Sequence, residues 1–208
     1  MTGPARARIR PYRDSDSADL YEVCVRTADN GGDATGRYDS DRLMGDLFAA
    51  PYAVLEPDVA FVLEDDGRVV GYVVGTPDTA AFVAAYRQRW IPALADFYQA
   101  VAGAPSNDTE FMLSLHFNPE RMLVTEVIDR FPAHLHIDLL PPYQRKGYGR
   151  QLMDTMLPAL GRAGAAGVHV GMLTANTPAR VFYDHLGFVE LDVPDAGVLT
   201  YLSRGTLL

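Results

Sequence analysis

The last third of the chain alternates between strand-like and helix-like segments, and this order restricts the possible folds more than any other feature. Apolar and β-branched runs that predict strands lie at residues 133–140, 167–173, 188–193 and 198–204. Segments whose apolar residues recur at helical spacing lie at residues 149–164 and 178–187. Strands and helices in this order are typical of an α/β protein.

The first two thirds of the chain add a second group of elements. The clearest is a hairpin over residues 59–76, where two β-branched runs flank Asp66 and Gly67, a strong turn signal. A strand is also predicted at residues 7–12, and helices at residues 15–28, 39–51, 78–103 and 118–131. Because Pro92 lies inside the third of these helices, we expect a break or kink there near Trp90 and Ile91.

Composition limits the partners of the protein. The 208 residues carry a formal net charge of -9, and fourteen acidic residues lie between Asp14 and Asp66. Such a chain has no broad basic surface for nucleic acid, and its acidic third is typical of a solvated surface. The single cysteine, Cys24, excludes an internal disulfide and lies in an apolar stretch, which favours a buried thiol.

We expect no targeting segment at the amino terminus. Residues 1–12 lack the apolar core of a signal peptide. No apolar run reaches the roughly 20 residues that span a bilayer. We therefore expect a cytoplasmic protein without a membrane partner.

A basic segment with two glycines joins the strand at 133–140 to the next helix. Gly147 and Gly149 stand at the start of that helix, with Arg145, Lys146 and Arg150 around them. Unpaired amides at a helix N-terminus carry partial positive charge, and glycine lets a ligand approach them. The segment predicts a phosphate site, although a tight turn without a ligand also fits. A dinucleotide fingerprint and a P-loop do not fit, because their further glycine and Gly-Lys-Ser/Thr ending are absent.

The same segment resembles the pyrophosphate loop of the GNAT superfamily of acetyl-CoA-dependent acetyltransferases, which has the form Gln/Arg-x-x-Gly-x-Gly/Ala. Here the loop reads Gln144-Arg145-Lys146-Gly147-Tyr148-Gly149. A second match lies at residues 174–191, where the family has an asparagine and then a helix with Phe-Tyr that ends in Leu-Gly-Phe. Together the motifs cover about residues 133–191. The resemblance implies an α/β fold with a mixed, mostly antiparallel, twisted sheet, flanked by helices and splayed between strands 4 and 5.

Residues 61–94 and 141–153 also resemble the acetyltransferase-like carboxy-terminal domain of animal O-GlcNAcase. The chain contains nothing that matches the glycosidase part, and its 17 arginines against one lysine suit a GC-rich genome. We expect a free-standing bacterial relative with one GNAT domain over residues 1–208. A helical insertion at about 77–132 and the loop at 29–38 would shape the acceptor site.

The family transfers acetyl to an amine by direct attack in a ternary complex, so the resemblance implies which residues bind acetyl-CoA. These residues are Leu139, Leu140, Gln144, Arg145, Lys146, Gly147, Tyr148, Gly149, Arg150, Asn176 and Tyr183. Leu139 and Leu140 would pair with the pantetheine arm through their backbones, and Asn176 would hydrogen-bond that arm. Tyr183, the tyrosine of the Phe-Tyr pair, would protonate the departing thiolate. We expect Thr177 to cap the Tyr183 helix.

The general base is marked less clearly than the general acid. His134, His136 and Asp138 share one face of their strand by alternation. The positions at which family members carry a base on this strand correspond to Ala133 and Leu135, which are apolar. A bulge could turn Asp138 or His136 toward the cleft, and the other routes are water or a residue of the amino-terminal loop. We take Asp138 as the candidate base.

Three functions are compatible with these residues. The first is an acetyl-CoA-dependent N-acetyltransferase. The second is a non-catalytic module that binds acetyl-CoA as a sensor or scaffold, which the lack of an obvious base favours. The third, an acetyltransferase for basic, histone-like tails, rests only on the acidic first third. The acceptor, the acyl-chain preference and the oligomeric state, monomer or homodimer, stay open. No metal is expected, because the other histidines lack ligand spacing: His116, His169 and His185.

Overall fold

The computed structural model describes residues 7–206, so the first half of the segment considered for a signal peptide lies outside the described residues. Within this range the strands are β1 Arg8–Pro11, β2 Ala60–Asp65, β3 Arg68–Thr76, β4 Ala133–Leu139, β5 Gly167–Leu173, β6 Val189–Leu191 and β7 Leu199–Gly205. The helices are α1 Ser17–Val25, α2 Arg42–Phe48, α3 Ala50–Leu55, α4 Thr79–Ala85, α5 Ile91–Ala93, α6 Asp108–Phe117, α7 Thr125–Ile128, α8 Tyr148–Arg162 and α9 Thr177–His185. No helix among residues 7–206 has the length and apolarity needed to cross a bilayer.

The strands form one sheet with the order β1-β2-β3-β4-β5-β7-β6. Neighbouring strands are antiparallel, apart from β4 and β5, which are parallel. These two strands pair only at Ala133–Val168 and His134–His169 and then diverge. The predicted fold is therefore confirmed: a mixed, mostly antiparallel sheet flanked by helices and splayed between its fourth and fifth strands.

The hairpin of β2 and β3 forms where the sequence predicts it. Asp66 and Gly67 have φ values of 49° and 78°, which is the left-handed conformation that this two-residue turn requires at both positions. On its other side, β3 pairs with residues 134–139 of β4 without a shift in register. This regular pairing fixes which side chains of β4 point to each face of the sheet.

Apolar side chains pack on both faces of the sheet. On one face, Tyr72 and Val74 of β3 belong to the core that includes α1–α4. On the other face, Val73 packs with Ala133 and Leu135 of β4 against α8 and α9. The predicted apolar stripe of α8 is buried: Leu152, Met153, Met156, Leu157 and Leu160. Burial of each such side chain contributes roughly 1.5–3 kcal/mol to the free energy of unfolding, so α8 is held firmly on the sheet.

The helices of residues 77–132 differ from the prediction in their bounds. After α4 the chain makes a π turn at Tyr86–Trp90 and ends in the short α5, which contains Pro92, so the predicted irregularity near Trp90 and Ile91 is confirmed. The predicted helix at 118–131 is wrong, because a 3-10 turn at Pro119–Met122 and the four-residue α7 take its place. The sequence does not predict α6, because its apolar residues are distributed around the helix instead of along one stripe.

Candidate active site

The divergence of β4 and β5 opens a cavity of about 1100 Å³. The predicted site residues that line it are Asp138, Leu139, Gln144, Arg145, Gly147, Gly149, Arg150, Asn176 and Tyr183. Leu140, Lys146 and Tyr148 lie in the same segment of the chain but do not line the cavity. The fold thus brings the two sequence motifs to one site.

Helix α8 begins at this cavity with the amides of its first turn uncapped. Gly147 occupies the N-cap position with a φ of 85°, a conformation that residues with side chains rarely adopt. No side chain among the described residues caps the first turn of this 15-residue helix. Uncapped amides and the positive end of the helix dipole attract anions. This end of the cavity is therefore suited to a phosphate group.

The second glycine of the loop allows two helices to pack closely. A Cβ atom on Gly149 would lie 2.9 Å from Cε2 of Phe182 on α9. Interiors are packed too densely to absorb that overlap without movement, so a larger residue would push α8 and α9 apart. Gly149 therefore keeps the two motifs together, besides leaving its amide accessible.

Basic side chains surround the uncapped helix end to different degrees. Arg145 and Arg150 line the cavity, whereas Lys146 is exposed outside it. Nη2 of Arg150 donates to the carbonyl of His185 at 2.9 Å. Within residues 7–206, neither Arg145 nor Lys146 forms a salt bridge. Their charges are available to an anionic ligand.

The backbone groups of Leu139 and Leu140 differ in their hydrogen bonding. The N–H of Leu140 donates to the Val70 carbonyl at 3.0 Å, and its carbonyl accepts from the Tyr143 N–H at 2.8 Å. The carbonyl of Leu139 accepts from Nε2 of Gln144 at 2.8 Å. Hydrogen bonds alternate along an antiparallel strand, so the Leu139 N–H points into the split. Both backbone groups of Leu140 are already hydrogen-bonded within the protein, which does not match its expected pairing with a ligand. The N–H of Leu139 does match that expectation.

Asn176 is the N-cap of α9. Its side-chain oxygen accepts from the Ala179 N–H at 3.1 Å. The prediction that Thr177 caps this helix is wrong, because Thr177 is already the first helical residue. The side-chain NH₂ of Asn176 remains available at the cavity wall.

Tyr183 is held rigidly on α9. Its side chain is buried and packs against the rings of Phe182 and Phe188, with centroids 5.2 and 5.1 Å away. Burial, and then the nearby charge of Asp138, raise the pKa of the Tyr183 hydroxyl above its usual value. The phenol therefore keeps its proton at neutral pH and can serve as a donor.

Asp138 lines the cavity from the face of the sheet opposite to the one that packs against α8 and α9. Its Oδ2 accepts a hydrogen bond of 2.6 Å from the Tyr72 hydroxyl. Burial raises the pKa of Asp138 to about 7, although the Tyr72 hydrogen bond acts in the other direction. A carboxyl group that is ionised by half near neutral pH meets the requirement for a general base.

The bulge that could have turned Asp138 or His136 toward the cleft is absent from the pairing of β4 with β3. The register of β4 with β3 is unbroken over residues 134–139. Asp138 and His136 reach the cavity without a bulge, because the cavity extends over the face that α1 and α3 cover, where Cys24 and Tyr52 also line it.

Tyr52 of α3 links two histidines of β4. Its hydroxyl lies 2.8 Å from Nε2 of His134 and 3.1 Å from Nε2 of His136. Oγ1 of Thr79 donates to the Pro132 carbonyl at 2.7 Å, so it accepts from Nδ1–H of His134, also at 2.7 Å. Tyr52 then donates to His134 and accepts from Nε2–H of His136. Burial lowers the pKa of His136 to about 4, so its uncharged ring keeps a lone pair on Nδ1.

The other residues that the sequence singles out have structural surroundings. Burial raises the pKa of the Cys24 thiol to about 12, so a thiolate does not form at neutral pH. Nδ1 of His116 lies 2.8 Å from the Tyr86 hydroxyl. His169 and His185 donate from Nδ1 to backbone carbonyls.

Sequence reasoning misses several side chains of the cavity. Tyr52 of α3, Arg121 of the turn at Pro119–Met122, and Tyr201 of β7 all line it. They belong to no motif and lie far apart along the chain, so no local pattern could have identified them. Only the tertiary fold brings them together.

Comparison with known proteins identifies the family. A family model described as an acetyltransferase (GNAT) domain matches residues 121–190. This range contains β4, the glycine loop, α8, β5 and α9. It therefore includes both motifs and the split between the strands.

Three similar proteins extend the comparison over most of the chain. The crystal structure of SsHAT has a TM-score of 0.94 at 49% identity, over 98% of this chain and 100% of that one. Protein O-GlcNAcase of Rattus norvegicus is 27% identical over 184 residues, which are 88% of this chain and 20% of that protein. A phosphinothricin acetyltransferase from Sinorhizobium meliloti in complex with acetyl-CoA shows the same fold, with a TM-score of 0.57 at 16% identity over 96% of this chain and 88% of that one.

The chain spans about a fifth of the length of the O-GlcNAcase that it matches, and the predicted similarity to that protein is confirmed. The splayed sheet, the glycine loop and these matches lead to one conclusion. The chain belongs to the GNAT superfamily of acetyltransferases.

Proposed function

We propose that the protein is an acetyl-CoA-dependent N-acetyltransferase in which an amine attacks the thioester directly within a ternary complex. The observation that carries the proposal is that one cavity is lined by a proton acceptor, Asp138, a proton donor, Tyr183, and the uncapped end of α8. Binding, activation of the amine and protonation of the leaving group need these three elements. The acetyl-CoA complex of the S. meliloti enzyme supports this cosubstrate.

Acetyl-CoA would bind in the split between β4 and β5. The α8 amides next to Gly147 face the diphosphate, and Arg145 adds charge to it. The N–H of Leu139 would donate to the pantetheine arm or to the thioester carbonyl. The side chain of Gln144 donates to the Leu139 carbonyl and holds it in place. The side-chain NH₂ of Asn176 donates to the arm. Arg150, in the first turn of α8, would add a second charge from the cavity wall, while Lys146 and Tyr148 lie outside the cavity.

Asp138 and Tyr183 handle the two protons of the reaction. Asp138 takes a proton from the attacking nitrogen, directly or through water, as the N–C bond forms. The C–S bond breaks, and Tyr183 gives its proton to the sulfur, so that coenzyme A leaves as a thiol. Nδ1 of the uncharged His136 is a second acceptor at the cavity wall. Exchange with solvent restores both groups for the next turnover.

The acceptor end of the cavity is formed by segments outside both motifs. Phe111, Met112 and Leu115 of α6 line it, as do Arg37 and Tyr38 of the amino-terminal loop. We assign residues 77–132 to a helical insertion within one domain, and we assign this insertion to acceptor recognition.

Release of thiol from acetyl-CoA in the presence of a panel of primary amines tests the proposal. We expect thiol release that depends on the amine, with the acetylated amine detected by mass spectrometry. If calorimetry shows that acetyl-CoA binds but no amine is acetylated, the protein is a binding module and the proposed enzyme activity is wrong. The panel also measures acyl preference if propionyl-CoA is run beside acetyl-CoA.

A further inference from the structure

Arg121 places a cation at the acceptor end of the cavity. It lies in the turn at Pro119–Met122 and lines the cavity. The residue is exposed, yet the surrounding protein lowers the pKa of its guanidinium by desolvation. The phenol groups of Tyr52, Tyr86 and Tyr201, which line the same cavity, raise that pKa. An arginine remains charged in such surroundings.

No carboxylate of the described chain neutralises Arg121. Its Nε makes only a long contact of 3.4 Å with the Leu115 carbonyl, and it has no salt bridge within residues 7–206. The adjacent Glu120 is engaged by Arg87 through two guanidinium nitrogens. The positive charge of Arg121 therefore faces the cavity without an internal counterion.

Tyr201 supplies a second hydrogen-bond donor in the same cavity. The hydroxyl of Tyr52 is engaged by two histidines, and that of Tyr86 by His116. The Tyr201 hydroxyl, on β7 across the split, makes no hydrogen bond within residues 7–206, and Arg121 lowers its pKa against the effect of burial. A guanidinium and an unengaged phenol that line one cavity can bind an oxyanion there.

We propose that Arg121 and Tyr201 bind an oxyanion on the acceptor, so the preferred acceptor is an amine that also carries a carboxylate or a phosphate. The inference rests on the proposed acetyltransferase function. With its amine at Asp138 and its anion at Arg121, such a molecule meets an opposite charge at each end. A polycationic, histone-like tail would instead bring like charge to Arg121.

Matched pairs of amines test the inference. One pair is 4-aminobutyrate and its amide, and the other is phosphoethanolamine and ethanolamine, so each pair differs in the anion. We expect the wild-type kcat/KM to be roughly 10- to 100-fold higher for the anionic member of at least one pair. The pair with the larger ratio identifies the anion as carboxylate or phosphate.

Variants locate the origin of that ratio. Arg121→Gln should bring the ratio close to one while the calorimetric affinity for coenzyme A is retained. Tyr201→Phe, which preserves the ring, should lower the ratio partly. Arg89→Gln removes an exposed arginine outside the cavity and should leave the ratio unchanged.

The outcomes separate this inference from the proposed function. Equal kcat/KM values within both pairs overturn the oxyanion site and leave the acetyltransferase standing. Turnover of no amine removes the acetyltransferase and the inference with it. Loss of coenzyme A affinity in Arg121→Gln would assign Arg121 to the coenzyme and also overturn the inference. If Arg121→Gln does not fold, an unchanged ratio in Tyr201→Phe is the result that contradicts it.

Discussion

The Tyr72 hydroxyl donates a 2.6 Å hydrogen bond to Oδ2 of Asp138, and the two residues are register partners in the pairing of β3 with β4. A shift of β4 by one residue would break this bond and turn Asp138 to the other face of the sheet. The register of two central strands therefore sets both the position and the hydrogen bonding of the candidate base.

Asp138→Asn should lower kcat by about 10²- to 10⁴-fold, the usual contribution of a general base, without loss of acetyl-CoA affinity. The wild-type kcat/KM should rise with pH and level off above the carboxyl pKa of about 7. Tyr72→Phe removes a hydrogen bond that lowers this pKa, so it should move the inflection to higher pH. Full activity in Asp138→Asn would assign the proton to water or to His136.

The same pKa predicts how stability depends on pH. The pKa of the Asp138 carboxyl is about 7 in the folded protein but about 4 in the unfolded chain. Between these values the unfolded state releases its proton first, so the contribution of Asp138 to stability is present at low pH and is lost as pH rises toward 7. Asp138→Asn lacks this loss. Its Tm relative to wild type should therefore increase between pH 4 and 7, and a constant difference would contradict the raised pKa.

Tyr183→Phe should lower kcat by about 10²-fold or more, because the departing thiolate loses its proton donor while the ring and its packing remain. Coenzyme A affinity measured by calorimetry should not change by more than a few fold. Tyr12→Phe, which removes a hydroxyl outside the cavity, is the matched control. Equal rates for both variants would exclude Tyr183 as the acid.

The sequence predicts the parts of this site that depend on local geometry. Gly147 has the left-handed backbone at a helix start that a glycine there suggests. The apolar stripe of α8 is buried at Leu152 and Met156, because helical spacing alone decides which face meets a sheet.

The parts that the sequence does not predict depend on distant contacts. Asp138 reaches the cavity because α1 and α3 leave space on its face, not because β4 bulges. Arg121 and Tyr201 lie 80 residues apart in the chain and line one cavity only because of the tertiary fold. Asn176 instead of Thr177 caps α9 because the helix begins one residue earlier than expected, a boundary that propensities do not resolve.

Gly147→Glu should abolish measurable coenzyme A binding. The new side chain would place negative charge beside the α8 amides, at a φ of 85° that a side chain disfavours. Gly164→Glu is a matched control, since Gly164 has a φ of 96° and open space around it, outside the cavity. If both variants lose a comparable amount of Tm but only Gly147→Glu loses coenzyme A binding, the phosphate site lies at Gly147. Equal coenzyme A affinities in the two variants would exclude that site.

Two substitutions of Asn176 separate its structural role from its ligand role. Asn176→Ala removes the cap of α9 and should cost about 0.5–2 kcal/mol in the free energy of unfolding. Asn176→Ser keeps a capping oxygen but removes the side-chain NH₂, so it should recover most of that stability and still bind coenzyme A less tightly. Urea denaturation and calorimetry on the same samples measure both quantities. If Asn176→Ser restores stability and affinity together, Asn176 acts only as the cap, and the coenzyme arm must find its donor elsewhere along the split.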